Sequence, residues 1–123
     1  MKLTENFNLS EFASKDGAQF PEDVIVNIID LSRNLQVVRD YIKKSININS
    51  GYRSPAHNKK VGGATNSQHL LGKASDITID GLTPTMVKAL LEKLISENKI
   101  KNGGVSLYPT FVHYDIRHNP TRW

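Results

Sequence analysis

Apolar residues recur every three or four positions in two stretches of the chain, and this spacing predicts two main amphipathic helices. We expect the first from about residue 21 to 44, because Pro21 suits a first helical position. Its stripe comprises Val24, Ile28, Leu31, Leu35, Val38 and Ile42. We expect the second at 84–98, where Thr83 is a good N-cap and Pro84 a good first residue. Its stripe comprises Val87, Leu90, Leu91, Leu94 and Ile95.

Shorter stretches have the patterning of strands, at 46–49, 74–80, 105–108 and 111–117. Side chains alternate across a strand, so Asp76, Thr78 and Asp80 share one face. In the last strand, Phe111, His113, Asp115 and Arg117 point one way, while Val112, Tyr114 and Ile116 point the other. The sequence therefore predicts an α+β fold, in which a small antiparallel sheet packs against two main helices.

The other segments have weaker patterns. Residues 1–20 are predicted to form an N-terminal arm with a brief helix, and 56–68 a long polar loop around Gly62 and Gly63. Loops of that length without secondary structure are uncommon unless they are functional. The tail, 118–123, has no clear pattern. Without repeats or linkers, residues 1–123 are expected to form one domain.

The composition limits which metal ligands and which partners the chain can have. The chain has no cysteine among its 123 residues, which excludes disulfides and thiolate zinc sites. Any metal site must therefore use His, Asp or Glu. The net charge of +4 favours anionic surroundings, but the basic residues are dispersed, and we expect no nucleic-acid binding. No apolar run could span a bilayer, and the first residues lack the apolar region of a signal peptide.

The most informative stretch is 67–76, which contains His69 and Asp76. An imidazole nitrogen and a carboxylate oxygen are ligands that zinc accepts, and a catalytic zinc site needs three protein ligands. The best third candidate is His113. If the strands of Asp76 and His113 pair with the two residues opposite, their Cβ atoms lie about 5 Å apart, close enough to share an ion. Arg53 is expected on a loop after a strand, where functional side chains are often presented.

Five blocks occur in order along the chain. They are SGYRSP at 50–55, VGGA at 61–64, SQHLLGKASDI at 67–77, GV at 104–105 and FVHYDIR at 111–117. Together they resemble the zinc D-alanyl-D-alanine carboxypeptidase family of metallopeptidases, most of all its small phage and prophage members. The resemblance covers about residues 46–117, and the N-terminal arm is also similar.

The resemblance implies one zinc ion, bound by His69, Asp76 and His113 in a cleft on the open face of the sheet. Arg53 matches an arginine that holds or polarises the substrate near the scissile carbonyl, and Ser67 matches a serine that contacts substrate. The implied function is zinc-dependent hydrolysis of peptidoglycan stem peptides. D-Ala-D-Ala carboxypeptidase activity is favoured, and an endolysin-type endopeptidase is the alternative.

At one position the residue differs from that of more distant members of the family. Several of them place Glu or Asp three residues before the last histidine as general base, and this chain has Thr110 there. Asp115 is then either the base or a partner that orients a ligand imidazole. His57 is a weaker candidate base. The change also leaves open a non-catalytic zinc-binding module that recognises wall peptide or a protein partner.

The remaining expectations concern the oligomeric state, the localisation and Arg117. We expect a monomer without membrane insertion, synthesised in a bacterial or phage-infected cytoplasm, which reaches the cell wall through another factor. Arg117 is expected to pair with a carboxylate on its strand face, a structural role.

Overall fold

Three α-helices form where local capping and apolar spacing favour them, in a computed structural model that describes all 123 residues. They are α1 (Glu22–Ile42), α2 (Pro55–Lys60) and α3 (Pro84–Ser96). The two main helices predicted from the apolar stripes are confirmed as α1 and α3, each slightly shorter than expected. Pro21 stands just before α1, which ends where Lys43 adopts a left-handed backbone, with φ of 56°.

Five strands form one sheet in the order β1–β2–β4–β3–β5. They are β1 (Ile46–Ser50), β2 (Ala74–Ile79), β3 (Gly104–Leu107), β4 (Val112–Asp115) and β5 (Thr121–Arg122). The four predicted strands pair antiparallel as expected. The sheet is nonetheless mixed, because β5 pairs parallel with β3. A two-residue strand is too short for a period of two to reveal it, so the tail showed no pattern.

The alternation predicted for the strands decides what each face of the sheet carries. Ile77, Val112 and Tyr114 are fully buried in the hydrophobic core together with side chains of α1 and α3. The residues that alternate with them, Asp76 and His113, therefore lie on the face away from the helices. The α+β architecture is confirmed, with its polar cluster on the open face. None of the helices is both long and apolar enough to cross a membrane.

The predicted polar loop at 56–68 is partly wrong, because α2 occupies its beginning. Ser54 caps this helix by accepting a hydrogen bond from the backbone N–H of His57 at 3.1 Å, and Pro55 follows as the first helical residue. This is the same pair of signals that Thr83 and Pro84 give at the start of α3. The sequence therefore contained the signals that predict α2.

A short 3-10 helix, Gln68–Leu71, sets the position of His69. The Ser67 side chain caps it by accepting from the His69 N–H at 3.2 Å, and Gly72 ends it with φ of 74°. A Cβ at Gly72 would meet the backbone and side chain of Val24 closer than 3 Å. Glycine thus allows the chain to turn against α1 and enter β2 at once.

The N-terminal arm braces the loop that follows β1. Its 3-10 helix, Leu9–Phe12, buries Phe12, whose carbonyl accepts from the Tyr52 N–H at 2.8 Å. Further along the arm, Asp16 accepts a hydrogen bond from the Ser54 hydroxyl. The arm therefore holds both sides of Arg53, which lies between these two attachment points.

Candidate metal centre and cleft

Three elements bring the predicted metal-binding residues together. His69 comes from the 3-10 helix, Asp76 from β2 and His113 from β4, where Asp76 and His113 are directly paired in the antiparallel register. The predicted pairing of these two residues is confirmed. One potential ligand atom from each of the three side chains lies within 4.8 Å of the other two. All three residues are buried.

Hydrogen bonds select which ring nitrogen of each histidine faces the cluster. His69 Nδ1 lies 2.7 Å from the carbonyl oxygen of Gly51, which only accepts, so this nitrogen carries the proton. His113 Nε2 lies 2.7 Å from Asp115 Oδ2 and carries its proton for the same reason. In the neutral rings, the opposite nitrogens present lone pairs to Asp76 Oδ1, at 3.3 Å from His69 and 3.1 Å from His113.

Electron pairs from three buried atoms thus converge on one point, which is favourable only with a positive charge between them. When a ring proton rather than a metal lies between these atoms, the imidazoles donate to Asp76. Burial opposes the ionised form of Asp76, but these hydrogen bonds and the charge of His113 and His69 lower its pKa to about 2. Burial also opposes the charged form of His113, yet hydrogen bonds to Asp115 and Asp76 raise the pKa of His113. The cluster therefore attracts a cation.

The donor set fits a divalent metal, and zinc in particular. Two imidazole nitrogens and one carboxylate oxygen are ligands that zinc accepts, and three protein ligands leave a coordination position open. The outer hydrogen bonds from Gly51 and Asp115 are the kind that fix ring orientation at metal-binding histidines. The three residues named from the sequence are thus the ones that the fold assembles into a possible metal site.

Asp115 lies behind this cluster. It is 0% exposed and does not line the cleft. Oδ1 accepts from the backbone N–H groups of Gly104 and Arg117, at 2.8 and 3.0 Å, while Oδ2 accepts from His113 and from the Arg117 guanidinium, both at 2.7 Å. Burial opposes ionisation of Asp115, but these hydrogen bonds hold its pKa well below the usual range. The pairing of Arg117 with a carboxylate on its strand face is confirmed.

Arg53 and Ser67 both line the cleft beside the cluster. The Arg53 guanidinium contacts Asp76 Oδ2 at 3.4 Å, and it also reaches Asn58 and Ser50 at 3.3 Å each. All three contacts are long for hydrogen bonds, so the guanidinium keeps donor capacity for a ligand. Ser67 points its hydroxyl oxygen to the His69 backbone as a cap.

The cleft has a volume of about 530 Å³. Its lining includes residues of the polar segment 62–68 and three aromatic residues, Tyr108, Phe111 and Trp123. The tail showed no pattern in the sequence, so no role was predicted for Trp123. The only hint in the sequence is that a single tryptophan occurs in the whole chain.

Asp76 has the sole side-chain carboxylate among the residues that line the cleft. His57, the weaker candidate base, lies in α2 and is not a lining residue. Thr110, at the position where wider relatives have an acid, is exposed and also outside the lining. The fold therefore brings none of the three candidate base positions, Thr110, Asp115 and His57, into the cleft wall.

Two sequence comparisons identify the family of this chain. The sequence model of the family described as Peptidase M15 matches residues 2–115. The chain is also similar to the probable peptidoglycan L,D-endopeptidase MepK of Haemophilus influenzae, with 35% identity over 96 residues. That alignment covers 72% of this chain and 48% of the relative, so the chain spans about half the length of that protein. From the family match over nearly its whole length, the chain belongs to the Peptidase M15 family.

Proposed function

We propose that this protein is a zinc-dependent peptidase that hydrolyses the stem peptides of peptidoglycan. The observation that carries the proposal is the convergence of three electron-pair donors, from His69, Asp76 and His113, at the side of a cleft large enough for a peptide. Membership of a peptidase family supports hydrolysis. The name of the relative MepK supports a peptidoglycan substrate.

Zinc, when bound by these three residues, supplies a Lewis acid that polarises a peptide carbonyl and lowers the pKa of water. The protein's own contribution begins with Arg53. Its planar fork can bind a substrate carboxylate in two parallel hydrogen bonds or stabilise a developing oxyanion. The long contacts to Asp76, Asn58 and Ser50 keep the guanidinium at the cleft without saturating it.

For Asp115 we infer the orienting role rather than that of general base. A base must come within hydrogen-bond reach of the proton it removes. Asp115 is fully buried, and its two oxygens already accept from Gly104, Arg117 and His113. Its carboxylate holds the His113 ring so that Nδ1 faces the cluster, and Arg117 holds the carboxylate in turn.

Two bond specificities fall within this proposal. A D-Ala-D-Ala carboxypeptidase removes the terminal residue and needs a cation for the substrate's carboxylate, which Arg53 or Arg117 at the cleft could supply. An endopeptidase cuts within the peptide network, and the name of the relative MepK favours this alternative. The fragments released from purified peptidoglycan, identified by mass spectrometry, separate them: free D-alanine for the first and shortened cross-linked peptides for the second.

The test of the function itself combines metal analysis with that digestion. We expect about one zinc per chain and hydrolysis that a chelator abolishes and zinc restores. Asp76→Asn should lose both the bound zinc and the hydrolysis. The matched control is Asp80→Asn, since Asp80 is an exposed carboxylate just beyond the same strand that accepts only from Asn47.

A second candidate is a zinc-binding module that recognises the cell wall without activity. It rests on the absence of any side-chain carboxylate other than that of Asp76 in the cleft lining. Zinc-dependent binding to peptidoglycan without any released fragment would establish it and refute the peptidase.

A further inference from the structure

The aromatic residues of the cleft lining form one connected unit. The rings of Tyr108 and Phe111 stack with centroids 4.7 Å apart and planes 10° from parallel. The indole N–H of Trp123 donates to the Tyr108 hydroxyl at 3.0 Å. The backbone carbonyl of Trp123 accepts from the Ser106 hydroxyl at 2.7 Å, which anchors the tail to β3.

This unit directly adjoins the candidate metal centre. The centroid of the Trp123 ring lies 4.9 Å from that of His113, and the Arg117 guanidinium lies 5.0 Å from the Trp123 centroid. Trp123 remains 53% exposed although it is in contact with both residues. A large aromatic surface therefore stays open to the cleft beside the donor cluster.

The hydrogen bond from Trp123 also determines that the Tyr108 hydroxyl is available as a donor. A phenolic hydroxyl both donates and accepts. Its oxygen accepts from the indole, and no protein group accepts its hydrogen. That hydrogen is available to a group that enters the cleft, and a peptide carbonyl is the acceptor that a peptidase substrate supplies.

From these contacts we infer that Tyr108 and Trp123 form a substrate-binding wall, on which Trp123 packs against the peptide and positions the Tyr108 hydroxyl to donate to a peptide carbonyl. The inference rests on the proposed function for the identity of the ligand, a stem peptide. It assigns Tyr108 a role in specificity and Trp123 a role in positioning.

The kinetic test uses three variants and one control. Tyr108→Phe removes the hydroxyl and keeps the stack on Phe111, and we expect KM to rise about three- to tenfold with kcat within about twofold, the worth of one neutral hydrogen bond. Trp123→Phe keeps a ring but removes the indole N–H, so a smaller rise in KM is expected. The control, Tyr41→Phe, removes a hydroxyl from an exposed ring that contacts Lys93 and Lys99 instead.

The double variant tests whether Trp123 acts through Tyr108. If the indole orients the hydroxyl, Tyr108→Phe combined with Trp123→Phe should be less impaired than the sum of the two single effects, because no hydroxyl remains to be oriented. Fully additive effects would overturn the positioning role. Melting temperatures of all variants identify any loss that comes from unfolding.

A second readout does not depend on hydrolysis. Trp123 is the only tryptophan in the chain, so its fluorescence reports on this wall alone. We expect a stem pentapeptide to change the emission of metal-stripped protein and to protect Trp123 from acrylamide quenching, with weaker binding in Tyr108→Phe. Peptide-dependent fluorescence without zinc-dependent hydrolysis would refute the proposed function and support the wall. Normal hydrolysis with unchanged fluorescence and parental KM in both single variants would overturn the wall alone.

Discussion

The orienting role of Asp115 leads to a prediction that separates it from a general base. In Asp115→Asn one of the two carboxylate oxygens becomes an NH2 group. On the Oδ1 side this group would face the N–H donors of Gly104 and Arg117, and on the Oδ2 side those of His113 and the Arg117 guanidinium. Either orientation places a donor against donors inside a fully buried site.

The geometry determines how much zinc affinity and stability Asp115→Asn should lose. The 2.7 Å hydrogen bond between Asp115 and His113 keeps the ring in the orientation that directs Nδ1 to the cluster. Loss of such outer-shell partners weakens metal binding by about 10- to 100-fold, which corresponds to about 1.4 to 2.8 kcal/mol. A buried donor left without an acceptor should also lower the free energy of unfolding by about 1–3 kcal/mol.

The assay is a zinc titration against a competing chelator, with Asp80→Asn as the control that also replaces a carboxylate by an amide. We expect the zinc Kd of Asp115→Asn to rise by that factor, and excess zinc to restore most of its hydrolysis. A parental zinc Kd together with a kcat that stays at least 100-fold low at saturating zinc would refute the orienting role and support the general base.

Three further predictions concern stability. In the folded protein the pKa values of Asp76 and Asp115 lie below the ordinary value for Asp, so both carboxylates stabilise the metal-free fold above about pH 4. That stability is lost as the pH falls towards the pKa in the folded state, which is about 2 for Asp76. The melting temperature should therefore fall between pH 4 and 2, and a constant value would contradict this. Gly72→Ala should lower the free energy of unfolding by about 1–3 kcal/mol more than Gly62→Ala does, because both glycines have a positive φ but only a Cβ at Gly72 would clash with α1. Equal losses of free energy in chemical denaturation would refute the packing argument. Zinc at 100 times its Kd should stabilise the protein by about 2.7 kcal/mol, seen as a rise of roughly 10 °C in thermal unfolding, and His113→Ala should show no such rise.

Local sequence patterns by themselves determined much of this fold. The apolar stripes predicted α1 and α3, and the alternation in β2 and β4 placed Asp76 and His113 on the face opposite Ile77 and Val112. A strand has a period of two, so its side chains must divide between core and solvent once one face is buried. That constraint, with the motif blocks, sufficed to name the metal-binding candidates.

Tertiary structure alone decided what surrounds those candidates. The tautomer of His69 depends on the carbonyl of Gly51, 18 positions away, and the burial of Asp115 depends on Gly104, 11 positions away, which packs against it. Trp123 reaches His113 only because β5 pairs parallel with β3. These are contacts between segments distant in sequence, or between strands too short to have a period, and no local pattern of residues encodes them.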